Sequence, residues 1–120
     1  MVSDGIRGFK DLIVWQKAIA FAKEVYCLTR RFPRDERFGL TSQVRRAAVS
    51  VSSNIAEGNA RQGRQYAHFL SIARGSLAEA ESQLLLAVEL GYLQREALLA
   101  VEQLASEVRR MLIAIASKLS

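Results

Sequence analysis

Apolar residues recur along this chain with a helical period. Val14, Ala18, Phe21, Val25 and Leu28 are spaced by threes and fours, which predicts a first helix from about Leu12 to Arg31 with Asp11 as its candidate N-cap. Pro33 has no backbone donor and stops that pattern, so Phe32 to Gly39 reads as a connector. Leu40, Val44, Ala48, Val51 and Ile55 mark a second helix, ended by the stretch from Gly58 to Gly63. A third begins near Arg64 and runs through Tyr66, Leu70, Ala73, Leu77, Ala80, Leu84 and Val88 to Gly91, a C-terminal glycine signal. After the short turn at Tyr92 and Leu93, a fourth carries Leu98, Val101, Ala105, Val108, Leu112, Ile115 and Leu119. Val49-Ser50-Val51-Ser52 alternates like a strand, but it lies inside the longer 3.6-residue pattern and reads as helix.

Four long helices with short connectors predict an all-α, antiparallel up-down-up-down four-helix bundle. Residues 1–120 are read as one domain with a short N-terminal arm, 1–11. A chain of this length buries roughly two thirds of the surface it would expose unfolded, so the fold requires neither a disulfide nor a structural metal. Cys27 is the only cysteine, which points to a reducing compartment. No run approaches the roughly 20 apolar residues of a membrane span, and the N-terminus lacks a basic patch followed by an apolar core. The expectation is a soluble, cytoplasmic protein with no membrane partner.

Two apolar runs exceed what one seam requires. Leu84 to Val88 and Met111 to Ala116 are continuous, and consecutive residues cover more than half of a helix circumference. A second covered face is implied, with Leu85 and Ile113 as candidate contacts between copies in a homo-oligomer.

The net charge of +5 is unevenly spread: residues 1–74 hold 13 Lys/Arg against six Asp/Glu, whereas residues 75–120 hold four against six. Most of the first-half cations are arginines (Arg30, Arg31, Arg34, Arg37, Arg45, Arg46, Arg61, Arg64 and Arg74), whose planar fork binds phosphate in a bidentate way. Two readings stand side by side: an interface for an anionic partner, nucleic acid first, or a solvated basic surface that aids solubility. The nucleic-acid candidates are Arg45, Arg46, Arg61, Arg64 and Arg74. Arg45 and Arg46 point about 100° apart on a helix, so one is expected to face the ligand and the other to join a salt bridge.

Gln43, Arg46, Ser50, Asn54 (or Ser53) and Glu57 fall at helical spacing and form a polar stripe beside the apolar one. This motif is read as structural, with Asn54 and Glu57 bonding across to the third helix or capping a turn and Gly58 supplying a left-handed helix end. Gly75, in Arg74-Gly75-Ser76, is expected to permit close approach of another helix, with Ala47, Ala48, Ser50 and Ser52 as the candidate partners.

Enzyme constellations are absent. Gly58 to Gln65 has the two-glycine spacing of a phosphate-binding loop, but Arg64 and Gln65 stand where lysine and Ser/Thr are needed, and no strand precedes it. His68 is the only histidine and reads as a partly buried helix residue, not a metal ligand. Cys27, without a nearby base, reads as a small core residue. Glu79 and Glu81 point to different sides of their helix and cannot act as an acid–base pair. Trp15, Tyr26, Phe32, Phe38, Tyr66 and Phe69 read as core and loop anchors rather than stacking platforms. No catalytic residue, cofactor or metal is predicted.

Further marks run nearly end to end: Phe9 with Asp11-Leu12 and Val14-Trp15, Phe32-Pro33 with Glu36 and Gly39-Leu40, Gln43 with Arg45-Arg46, Ser50 with Asn54-Ile55-Ala56-Glu57-Gly58, Phe69-Leu70 with Ile72-Ala73 and Gly75-Ser76-Leu77, and Gly91-Tyr92-Leu93. By these the chain resembles the bacterial four-helix bundle family first described as proteins encoded in intervening sequences of large-subunit ribosomal RNA genes. Its departures are small, Val51 where an isoleucine is common and Ala80 where a leucine often follows the glutamate. The resemblance implies a homopentamer, with bundles arranged as a barrel around a central channel. It also relates the chain to the accessory proteins of diversity-generating retroelements, which are basic and bind nucleic acid and a reverse transcriptase. Two roles follow as expectations: a non-enzymatic oligomer that binds structured RNA or DNA through its arginines, or an assembly protein that docks a protein partner.

Overall fold

The computed structural model describes residues 8–119, and four helices carry them: α1 (Ile13–Thr29), α2 (Leu40–Arg61), α3 (Gly63–Glu89) and α4 (Leu99–Lys118). Among the described residues there is no strand. Residues 1–7 of the expected arm lie outside the described residues. The rest of it, Phe9–Asp11, is a 3-10 turn whose Phe9 ring meets Trp15 edge-on at 5.1 Å. That turn displaces the helix start: Leu12, not Asp11, holds the N-cap position of α1, without a side-chain cap bond.

α1 ends at Thr29, two residues earlier than its apolar period predicts. The Thr29 hydroxyl donates back to the Val25 carbonyl at 2.8 Å, and the backbone then turns through Arg30 to Phe32 with i to i−3 bonds. Pro33 opens a 3-10 turn at Arg34–Glu36, and Glu36 folds back so that its carboxylate accepts the Leu40 N–H at 2.9 Å. The first turn of α2 is therefore capped from four residues upstream, satisfying a donor that no earlier residue of the helix can reach. The second oxygen of Glu36 accepts the Tyr92 hydroxyl at 2.7 Å, and the Tyr92 ring packs on Phe32 at 5.5 Å. The α1–α2 connector and the α3–α4 turn are thus fastened together at one end of the molecule.

At the other end, α2 passes into α3 through Gln62 and Gly63, both with positive φ (61° and 59°). α3 stops as its glycine signal predicts: Gly91 has φ 82°, its N–H bonds the Val88 carbonyl, and the Tyr92 N–H bonds the Ala87 carbonyl. These two bonds form a Schellman end.

α1 packs on α2 and α4, and α3 packs on the same two, with α2 and α3 the most closely joined pair. Between them lies one apolar core, including Phe21, Val25, Val44, Val51, Ile55, Leu70, Leu77, Leu84, Leu98, Val108 and Leu112, all essentially inaccessible. Each comes from the face that the helical period marks. The apolar runs behave differently, since Leu84, Ala87 and Leu112 are buried while Leu85, Leu86, Ile113 and Ala114 remain exposed. No described helix is long and apolar enough to cross a membrane.

Candidate functional site

The polar stripe of α2 lies along its seam with α3. Ser50 Oγ lies 2.9 Å from Ser76 Oγ, and this hydroxyl pair crosses between the helices at mid-seam. Asn54 does not cross: its amide donates within α2, to the Ser50 carbonyl at 2.8 Å and to Ser50 Oγ at 2.9 Å. Glu57 also stays on its own helix, paired with Arg61 at 2.6 Å. The expectation that Asn54 and Glu57 bridge to the third helix is corrected: partners on α2 itself, Ser50 and Arg61, take both side chains where the two backbones lie close.

Gly58 accounts for that closeness. It is buried inside α2 with helical geometry, so it does not supply a left-handed end. A Cβ placed on it would lie 2.9 Å from Phe69 Cβ and 3.2 Å from the Tyr66 carbonyl. The close approach expected of Gly75 therefore belongs to Gly58, whereas Gly75 is exposed with nothing within 4 Å of an added Cβ.

Where the seam opens, Gln43, Arg46, Ala47, Ser50, Ser76 and Glu79 line a shallow depression of about 260 Å³. It offers one guanidinium, one carboxylate, two hydroxyls and an amide, a set that can hold a polar or zwitterionic group but holds no nucleophile paired with a base. Among the described residues no three His, Cys, Asp or Glu side chains cluster to hold a metal ion.

The five arginines singled out in the sequence do not converge. Arg45 is half-buried between α1 and α2: its Nε donates to Thr29 Oγ1 at 2.8 Å and its guanidinium lies 4.5 Å from the Tyr26 ring centre. It takes a hydroxyl and an aromatic face in place of the expected salt bridge. Arg46 diverges from it to the exposed α2–α3 side. Arg61 is tied to Glu57 and rests over Phe69 at 5.4 Å. Arg64 and Arg74 are exposed on α3 and make no ion pair among the described residues. At 1.5 Å per residue, Arg46 and Arg61 stand roughly 22 Å apart along α2.

The densest group of cations is one that spacing on the helices does not reveal. Arg30, Arg31, Arg34 and Arg37 all lie exposed in the α1–α2 connector, beside Phe38, which is 87% exposed. Phe38 is not the loop anchor expected of it. Two further expectations fail in the same direction: Cys27 is exposed on the outer side of α1, and His68 is exposed against Phe69 at 5.3 Å.

Electrostatically the connector is set by Glu36. The Leu40 N–H, and after it the Tyr92 hydroxyl, hold its carboxyl below the ordinary 4.5, against a small opposing effect of burial. In return the bond to Glu36 raises the Tyr92 phenol above 10.0, helped by desolvation and by the charges of Glu36 and Asp35. Glu36 stays ionised as a helix cap, so its charge is committed internally.

The fold and this seam define an all-α bundle protein with a polar, small-residue contact between its second and third helices. The chain belongs to the family of 23S rRNA-intervening sequence proteins, whose model matches residues 10–114. It is similar in structure to a protein of unknown function from the S23 ribosomal protein family of Bacteroides thetaiotaomicron, with a TM-score of 0.76 and 26% sequence identity over 87% of this chain and 98% of that one. No curated protein matches the chain.

Proposed function

We propose that this protein is a non-enzymatic, cytoplasmic homo-oligomer that binds structured RNA or DNA through phosphate contacts from its first-half arginines. One observation carries the reading. Among the described residues, Arg95 and Arg109 of the second half each pair with a carboxylate, Glu102 and Glu81, whereas of the first-half arginines only Arg61 does. The other first-half guanidiniums among the described residues, apart from half-buried Arg45, are exposed and have no ion-pair partner. Cations not neutralised within the fold are available to phosphate, and releasing the counterions of phosphate supplies the binding free energy.

The helix order is read as antiparallel, up-down-up-down. Arg45 near the start of α2 meets Thr29 at the end of α1, and Asn59 near the end of α2 meets Tyr66 at the start of α3. The assembled form is the pentameric barrel that the resemblance implies, with Leu85 and Ile113, each 44% exposed on a single chain, covered by a neighbouring copy.

Fluorescence-anisotropy titration of a structured RNA and a duplex DNA across a salt series, with mass measured by light scattering, tests this. Affinity should fall with salt by about 0.9 log units per log unit of salt for each phosphate neutralised on duplex DNA. Arg64→Ala with Arg74→Ala should reduce that slope while leaving the mass unchanged. Absence of binding at low salt would refute nucleic-acid binding and favour the other role, docking of a protein partner on the exposed apolar residues.

A further inference from the structure

We propose that the α1–α2 connector is a contact site for an unpaired nucleotide, with Phe38 as the surface on which a base stacks and Arg30, Arg31, Arg34 and Arg37 as the cations that hold its phosphates. The proposal rests on the nucleic-acid reading above and names the part of the ligand that this end of the bundle takes.

Phe38 is unlike the other phenylalanines. Phe21 and Phe32 are buried, and Phe9 and Phe69 are half-buried, whereas Phe38 is 87% exposed. The Arg37 guanidinium lies 5.2 Å from its ring centre, and Arg30, Arg31 and Arg34 are exposed in the same connector. None of the four connector arginines forms an ion pair among the described residues. Of the two nearby carboxylates, Glu36 is committed to Leu40 and Tyr92, and Asp35 alone opposes the cations.

This combination selects among partners. The centre of a protein–protein contact takes arginine beside aromatics but is otherwise depleted in charge, and four guanidiniums with no ion-pair partner exceed what it accommodates. An exposed aromatic ring beside one guanidinium, in a connector that carries three more, fits a π-face that bears a phosphate, as an unstacked nucleotide does. A continuous duplex hides its base faces, and exposing one costs a few kcal/mol of unstacking, so the site favours single strands, bulges and loops.

The ring is held on a rigid support. Gly39 N–H bonds the Glu36 carbonyl at 2.9 Å, Arg37 N–H bonds the Arg34 carbonyl at 3.1 Å, and Phe32 is buried against Tyr92. Little ordering remains to be done when a base arrives. Compensation of the α1 dipole accounts for Arg30 and Arg31 at its C-terminus, but not for Arg34, Arg37 or the exposed ring.

The experiment compares a fluorescein-labelled single-stranded oligonucleotide with a duplex of the same sequence, on the full chain and on Phe38→Ala, Phe38→Leu and Phe38→Tyr. Stacking on one aromatic is worth about 1–3 kcal/mol, so Phe38→Ala should weaken single-strand binding roughly 5- to 150-fold. Duplex binding should change less than about twofold. Phe38→Tyr should retain affinity, and Phe38→Leu, which keeps apolar bulk without a π-face, should lose it. Equal single-strand affinity in Phe38→Ala and the unmodified chain would overturn this site while leaving the nucleic-acid reading intact. Retention by Phe38→Leu would overturn stacking, because apolar bulk alone would then account for the contact. Failure of the unmodified chain to bind either probe at low salt would overturn both readings. Phe38 is 87% exposed, and an unchanged melting curve in each variant excludes misfolding as the cause.

Discussion

Alanine substitution should stabilise the protein at one helical glycine and not at another, and the difference isolates the α2–α3 packing. Alanine is favoured over glycine in a helix interior by about 1 kcal/mol, and that gain applies equally to Gly58 and Gly75. At Gly75 nothing lies within 4 Å of the new methyl group. Gly75→Ala should therefore stabilise by about 1 kcal/mol, raising Tm by roughly 3–5 °C for a domain of this size. At Gly58 the methyl would meet Phe69 Cβ at 2.9 Å, Tyr66 Cδ1 at 3.1 Å and the Tyr66 carbonyl at 3.2 Å. A Cβ and a helical carbonyl cannot yield without moving α3, and overpacking of this kind costs about 1–3 kcal/mol. Gly58→Ala should thus be neutral to about 2 kcal/mol destabilising. Urea unfolding at one fixed chain concentration measures both, because assembly makes apparent stability concentration-dependent. Equal stabilisation by the two substitutions would refute the close approach at Gly58. Destabilisation by Gly75→Ala would instead show that its face is covered in the assembled protein.

The remaining predictions concern the connector, the turn, the seam and the outer face. Because the folded-state pKa of Glu36 lies below 4.5, its contribution is full above that value and is lost as pH falls through the folded pKa. Glu36→Gln should lower Tm near neutrality and flatten the acid limb of the stability curve, read by circular-dichroism melts; an unchanged acid limb would refute the cap. Gln62 has φ 61° and ψ −179°, a region that essentially only glycine adopts, so Gln62→Gly should stabilise by about 1 kcal/mol in the same unfolding assay, and a loss would refute the strain. Ser50→Ala removes the hydroxyl shared with Ser76 and Asn54 and should cost about 1 kcal/mol; no change would show that water replaces it without loss. Leu85→Asp with Ile113→Asp should leave helicity intact and reduce the mass seen by light scattering to that of one chain, and persistence of the larger mass would remove these residues from the interface.

The fold was legible because burial follows the helical period. Every position used to predict the first two helices is buried, and Gly91 has the positive φ that its place after the third requires. The errors lie where a neighbour remote in sequence decides the outcome. Gly58 and Gly75 are both glycines in helical context, and spacing alone does not say which one faces another backbone. Pro33 signals a break, but not that Glu36 will fold back as a cap while the residue from the α3–α4 turn that holds it lies 56 positions away. Cys27 follows the same rule, since a small apolar residue at the margin of a stripe is placed by the width of the neighbouring helix and here falls outside it.

The candidate site was less legible, because charge is counted along the chain while binding is decided in space. Arg45 and Arg46 are adjacent in sequence, yet the 100° between them sends one to Thr29 and Tyr26 and the other to the opposite seam. Arg61 and Arg64 sit at the far end of the bundle from the connector, so the five helical candidates describe two ends and a middle rather than one surface. The connector arginines carry no periodic signal, being four of the eight residues from Arg30 to Arg37 in a segment whose shape the sequence reports only as a break. What marks them in three dimensions is the absence of an internal partner together with an aromatic ring left in water. An arginine paired with a carboxylate, like Arg109 with Glu81, has already exchanged its hydration for a protein contact and gains little from phosphate. An unpaired one has not, so the uncommitted cations, rather than the most basic stretch of helix, are where an anionic ligand gains most.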